Sequence, residues 1–126
     1  MTIDEMQAGP EMNALVAEKV MGWTRCSNED CQGCDHPIYL TGGRWIVRVP
    51  GRDWDDDDYI FAPSTGISAA WMVVEKMREM GFMFRLQSFD TVGAEFQQPW
   101  GFFVSSSATT APPAICKAAL KAVEAR

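Results

Sequence analysis

Residues 82–104 commit this chain to an antiparallel sheet. Apolar and polar residues alternate from Phe82 to Phe89, with Phe82, Phe84 and Leu86 on one side. Asp90-Thr91-Val92-Gly93 follows, with Asp first and Gly fourth, the signature of a type I turn. Glu95 to Val104 then reads as the returning strand. Two such runs joined by a tight turn make a hairpin, whose apolar side needs a core to lie against. Pro99 interrupts the second run and predicts an edge or a bulge, because proline donates nothing to the ladder.

Three helical stripes supply that core. Pro10 suits a first helical position, and Met12, Leu15, Val16, Val20 and Trp23 then recur at helical spacing, with Gly22 as a stop. After the hydroxyls of Ser64-Thr65-Gly66 come Ile67, Ala70, Trp71, Val74 and Met77, and Gly81 is the expected C-terminal cap. Ile115, Ala118, Ala119, Ala122 and Val123 form the stripe of a last helix that follows Thr109-Thr110 and Pro112-Pro113, while Ser105 to Thr110 reads as a small-polar loop. A further strand, Arg44 to Val49, alternates and is ended by Pro50-Gly51. The order α–loop–β–α–β–β–α predicts an α+β fold, a small antiparallel sheet of about three strands sandwiched with three helices. At 126 residues the chain is one domain, 1–126, with a Cys/His loop insertion at 24–43.

That loop holds Cys26, Cys31, Cys34 and His36, three thiols and the only histidine within eleven residues. Four soft donors in so short a stretch predict a zinc site. Four protein ligands leave no open position, so the expected zinc is structural. The fourth cysteine, Cys116, falls on the apolar stripe of the last helix and reads as a small core residue.

The formal net charge is −6, which argues against general nucleic-acid binding. It is compatible with a small anion held by a few local donors. Met1-Thr2-Ile3-Asp4-Glu5 is acidic and lacks the apolar stretch of a signal peptide, and no run approaches a membrane span, so a cytoplasmic protein is expected. Reduced cysteines follow from that compartment. No phosphate loop, nucleophile elbow or metalloprotease motif occurs, so no enzyme is expected. Free N–H groups and hydroxyls at a helix start favour anions, which makes Thr109 and Thr110 candidate ligand contacts. Arg44, Arg48 and Lys117, with Arg52 and Arg85, are the cations available to complete such a pocket. The run Asp53-Trp54-Asp55-Asp56-Asp57-Asp58-Tyr59 reads as a solvated loop, or alternatively as an acidic surface that docks on a protein.

"MNALVAEKVMGW" (12–23), "STGISAAWMVVEKM" (64–77) and "PPAICKAALKAVE" (112–124) resemble the phage ABA sandwich domain family. The layout is also similar, more distantly, to the phage anti-Thoeris sponges. The shared features are Leu-Val-Ala-Glu (15–18), a middle helix after a Ser/Thr turn and a last helix opening with Pro. The first resemblance implies an α/β sandwich of phage or prophage origin. The second implies a homo-oligomer that traps a cyclic ADP-ribose signal of bacterial immunity, and so a protein that sequesters a small cyclic or phosphorylated nucleotide without catalysis. Sponges use basic residues on the last helix, where Lys117 is the nearest cation here. A protein–protein inhibitor acting through residues 53–59 is the alternative expectation.

Overall fold

A computed structural model of the chain describes residues 3, 6–25, 38–41, 44–47, 61–88, 90–99 and 101–124. The three expected helices are α1 (Pro10–Lys19), α2 (Ile67–Glu79) and α3 (Ala111–Glu124). The strands are β1 (Ile38–Thr41), β2 (Arg44–Val47), β3 (Met83–Ser88), β4 (Val92–Gln97) and β5 (Phe103–Ala108). They form a three-stranded antiparallel sheet in the order β3-β4-β5 and a separate β1-β2 pair. The α+β class therefore stands, and its order roughly so, with β1 and β5 as further strands. The strand at Arg44, however, pairs with β1, which falls inside the stretch expected to be an insertion.

Helix ends follow local chemistry. Pro10 occupies the first turn of α1, where its missing N–H costs nothing. At the end of α2, Phe82 N–H donates to the Met77 carbonyl and Gly81 N–H to the Arg78 carbonyl, both at 3.0 Å. This pair of bonds closes the helix around Gly81 at φ 96°, a conformation only glycine adopts without strain.

The second hairpin differs from expectation for a physical reason. Glu95 to Val104 is not one strand, because the chain reverses at residues 98–101. Gly101 N–H donates to the Gln98 carbonyl at 3.0 Å and Gln98 N–H to the Phe102 carbonyl at 2.8 Å. Pro99 takes the second position of this turn, which its fixed φ favours, and Gly101 the fourth, at φ 98°. The serines expected in a loop instead form β5, in register with β4 from Val92↔Ala108 to Gln97↔Phe103. Six paired residues override the weak strand preference of Ser.

Helix α3 lies at the centre, against β4, β5, α2 and α1. Ala118, Ala119 and Ala122 have no exposed surface. Their small size lets α3 approach elements of its own chain, so it gives no reason to invoke a second subunit. Phe96 is fully buried, with ring centroids of Phe84 and Phe82 at 5.2 and 6.3 Å. The α2 stripe is turned slightly from the expected one. Val73 joins Ala70, Val74 and Met77 in the core, whereas Ile67 and Trp71 are 46% and 44% exposed. Trp71 covers Phe84 edge-on at 5.7 Å. Helix α1 packs on β2, β1 and α3, and Asn13 is buried with it.

Register divides the three-stranded sheet into two faces. Phe84, Phe96 and Val104 share one row, and Leu86, Ala94 and Ser106 the next, on the side that α2 and α3 cover. Met83, Gln97 and Phe103, then Arg85, Glu95 and Ser105, then Gln87, Gly93 and Ser107, form the rows of the opposite side. None of the described helices packs on that outer side.

Candidate functional site

The outer side of β3-β4-β5 carries a groove of about 490 Å³ lined by Arg85, Gln87, Gly93, Glu95, Ser105 and Ser107, with the backbone of Ala94 and Ser106 in its floor. Its shape comes from the sequence of the middle strand. Gly93 sits between Gln87 and Ser107 and has no side chain, so the sheet is open there. A Cβ built on Gly93 would meet nothing nearer than the Gln87 carbonyl, at 4.0 Å. Short serine side chains keep the β5 wall low, while Arg85 and Gln87 raise the β3 wall.

The two long side chains of β3 act together. With its amide turned to satisfy both groups, Gln87 Oε1 accepts from Nε and Nη2 of Arg85 at 3.0 Å each. Strand residues two apart share a face, so this bond holds the guanidinium along the groove. Glu95 stands directly across from Arg85 in register, and no ion pair between them occurs among the described residues. On the far wall Lys121 Nζ, from α3, donates to the Ser105 carbonyl at 2.8 Å and ties β5 to the helix. The groove thus offers fixed donors on one wall, hydroxyls on the other and a carboxylate between. Such a surface can bind a small polar molecule.

Of the cations proposed from sequence, Arg85 is the one at this groove among the described residues. Thr109 and Thr110 are exposed and follow β5 directly, before the first turn of α3. Lys117 is half-buried further along α3. Arg44 opens β2, opposite Thr41, in the other pair of strands. Its side chain, with all of Arg48 and Arg52, lies outside the described residues. So does the acidic stretch 53–59. Thr109 and Thr110 thus link the β5 wall to α3.

The zinc expectation is corrected. Among the described residues no group of three or more His, Cys, Asp or Glu side chains is placed to hold a metal ion. A tetrahedral centre needs four donors converging on one point. Cys26, Cys31, Cys34 and His36 all lie outside the described residues, and the remaining thiol, Cys116, is alone and buried in α3. Burial pushes that thiol far above its ordinary pKa of 9.0, the opposite of what a metal-ligating thiolate needs. Metal binding consequently has no place in the function drawn below.

Sequence reading missed Gln87, Gly93, Glu95, Ser105 and Ser107. Gly93 was the fourth residue of a turn signature and the serines were loop-like. Only the register of β4 with both neighbours makes them one surface. The alternation of Phe103, Ser105 and Ser107 was the single available signal.

No helix of the described residues is long and apolar enough to cross a membrane. No curated protein matches the chain. A crystal structure of a phage protein from Bacillus cereus ATCC 14579 shares the fold, with a TM-score of 0.60 and 26% identity over 91% of this chain and 86% of that one. The phage ABA sandwich domain profile matches residues 14–120, from within α1 into α3. A match of that extent takes in β1 to β5 and the whole groove, and the chain belongs to the phage ABA sandwich domain family.

Proposed function

We propose that this phage-associated protein sequesters a small cyclic or phosphorylated nucleotide signal in the outer-sheet groove, without catalysis, and so acts against a host defence. The observation that carries the reading is Arg85, aligned by Gln87 on one wall of a groove of about 490 Å³ whose floor Gly93 leaves open. That volume falls within the roughly 300–1,000 Å³ common for small-molecule sites. A guanidinium with a fixed orientation is the side chain best suited to a phosphate oxygen pair. Ser105 and Ser107 add hydroxyls that donate or accept. The family match and the Bacillus cereus structure support a phage protein of this fold. The anti-defence role rests on the sequence resemblance to the sponges and on this groove.

The test is calorimetric titration of a panel of cyclic and linear nucleotides into the wild-type protein and Arg85→Ala. A charge-assisted contact contributes about 1.5–3 kcal/mol, so the variant should bind roughly 10- to 150-fold more weakly. Ligand released by denaturation should be chemically unchanged. Absence of binding across the panel, or binding indifferent to Arg85, refutes the proposal. Recovery of a cleaved product refutes the non-catalytic part.

A further inference from the structure

Arg85 and Glu95 face one another across β3 and β4 on the side of the sheet that none of the described helices covers. Opposite charges in directly opposed positions sit about 4.5–5.5 Å apart at Cβ and attract. Here the guanidinium turns along its own strand to Gln87 instead. Both charges consequently line the same groove with no direct ion pair between them.

We propose that the groove reads two groups of one ligand. Arg85 takes a phosphate, and Glu95 accepts hydrogen bonds from vicinal hydroxyls of the attached sugar. This rests on the nucleotide reading of the groove and specifies which nucleotides fit. An ionised carboxylate only accepts hydrogen bonds, so its partner must be a donor, which the sugar diol supplies and the phosphate does not. The same carboxylate opposes a second negative charge beside it, in a chain whose net charge is already −6. The site therefore favours a monophosphorylated ribose unit over free phosphate or a polyphosphate chain. Ser105 and Ser107, on the opposite wall, lie alongside the bridging ligand.

Titration calorimetry with adenosine 5′-monophosphate, its 2′,3′-dideoxy analogue, adenosine 5′-triphosphate and inorganic phosphate tests this. The wild-type protein should prefer the monophosphate over the dideoxy analogue by about tenfold, the size of one charge-assisted hydrogen bond. Arg85→Ala should weaken both. Glu95→Ala, which removes the acceptor and its charge, should abolish the preference and bind the triphosphate severalfold more tightly than the wild type does. Circular dichroism checks that each variant is folded. Equal binding of the monophosphate and its dideoxy analogue by the wild type sinks the two-point reading, as does a preference that survives Glu95→Ala. Both results leave Arg85-dependent phosphate binding, and with it the proposed function, intact. Failure of every probe to bind the wild-type protein overturns this inference, and failure of the wider cyclic panel as well overturns the function it rests on.

Discussion

The hydroxyl of Ser64 donates to Oδ1 of Asn13 at 2.7 Å, joining residues 51 apart in sequence. The same oxygen accepts from Ser64 N–H at 3.0 Å, and Ser64 Oγ accepts from Gly9 N–H at 2.9 Å. Asn13 and Ser64 are 9% and 1% exposed, so water does not replace these bonds. They fasten the start of α1 to the turn that leads into α2. Asn13→Ala leaves the Ser64 N–H buried without its acceptor, while the hydroxyl keeps the Gly9 carbonyl at 3.3 Å, and should cost about 1–3 kcal/mol. Urea unfolding measures this. A loss under 0.5 kcal/mol would show that the network contributes nothing beyond packing.

Filling the groove should separate binding from folding. Gly93 has no positive φ and its Cβ direction is open, so Gly93→Val fits the backbone and suits a strand. The variant should melt at or above the wild-type temperature, because glycine in a strand is the more flexible in the unfolded chain. Nucleotide affinity should fall by at least tenfold, since the valine occupies the floor. Unimpaired binding in a folded Gly93→Val protein would place the ligand elsewhere.

Arg25 pairs with Glu18 through its Nε, and its guanidinium lies 4.2 Å from the centre of the Trp45 ring. Slight burial acts to raise the Glu18 pKa, but the hydrogen bond and charge of Arg25, with Lys19 beside it, outweigh burial and set it below the ordinary 4.5. A depressed carboxyl stabilises the fold above the unfolded pKa and loses that contribution as pH falls through the lower folded value. The pair is partly solvated, so the effect is small, about 0.2–1 kcal/mol. Arg25→Ala should lower stability at pH 7 by an amount that shrinks below pH 4.5. Denaturant titrations at pH 7 and pH 3 give the comparison. A loss of equal size at both pH values would assign the effect to Trp45 packing alone.

Cys116 is fully buried on α3, and burial holds its thiol protonated well above the ordinary value of 9.0. It should resist alkylation in the folded protein and react once unfolded. A Cys26→Ser/Cys31→Ser/Cys34→Ser background isolates it. Rapid labelling under native conditions would contradict the burial. The unfolded chain ionises this thiol first, so stability should fall as pH rises above 9.0, and Cys116→Ala should reduce that fall.

How much of this was legible in the chain depends on the range of the forces concerned. Helix period, the proline at residue 10 and the glycine at residue 81 are local signals, because stripe spacing and capping act within one or two turns. They located α1, α2 and α3, and with Phe82–Phe89 they set the α+β class. Pro99 and the serines at 105–107 misled because a tight turn and a strand of weak intrinsic preference are settled by pairing with β4, not by composition. The cations show the same limit. Arg44, Arg48, Arg52, Arg85 and Lys117 were equivalent as letters, and only the register Arg85↔Glu95 beside Gly93 puts Arg85, among the described residues, at a groove. A helix or a turn is written over a few neighbouring residues. A binding surface on a sheet is assembled from three strands whose alignment depends on which faces the core buries, and only the tertiary structure decided that.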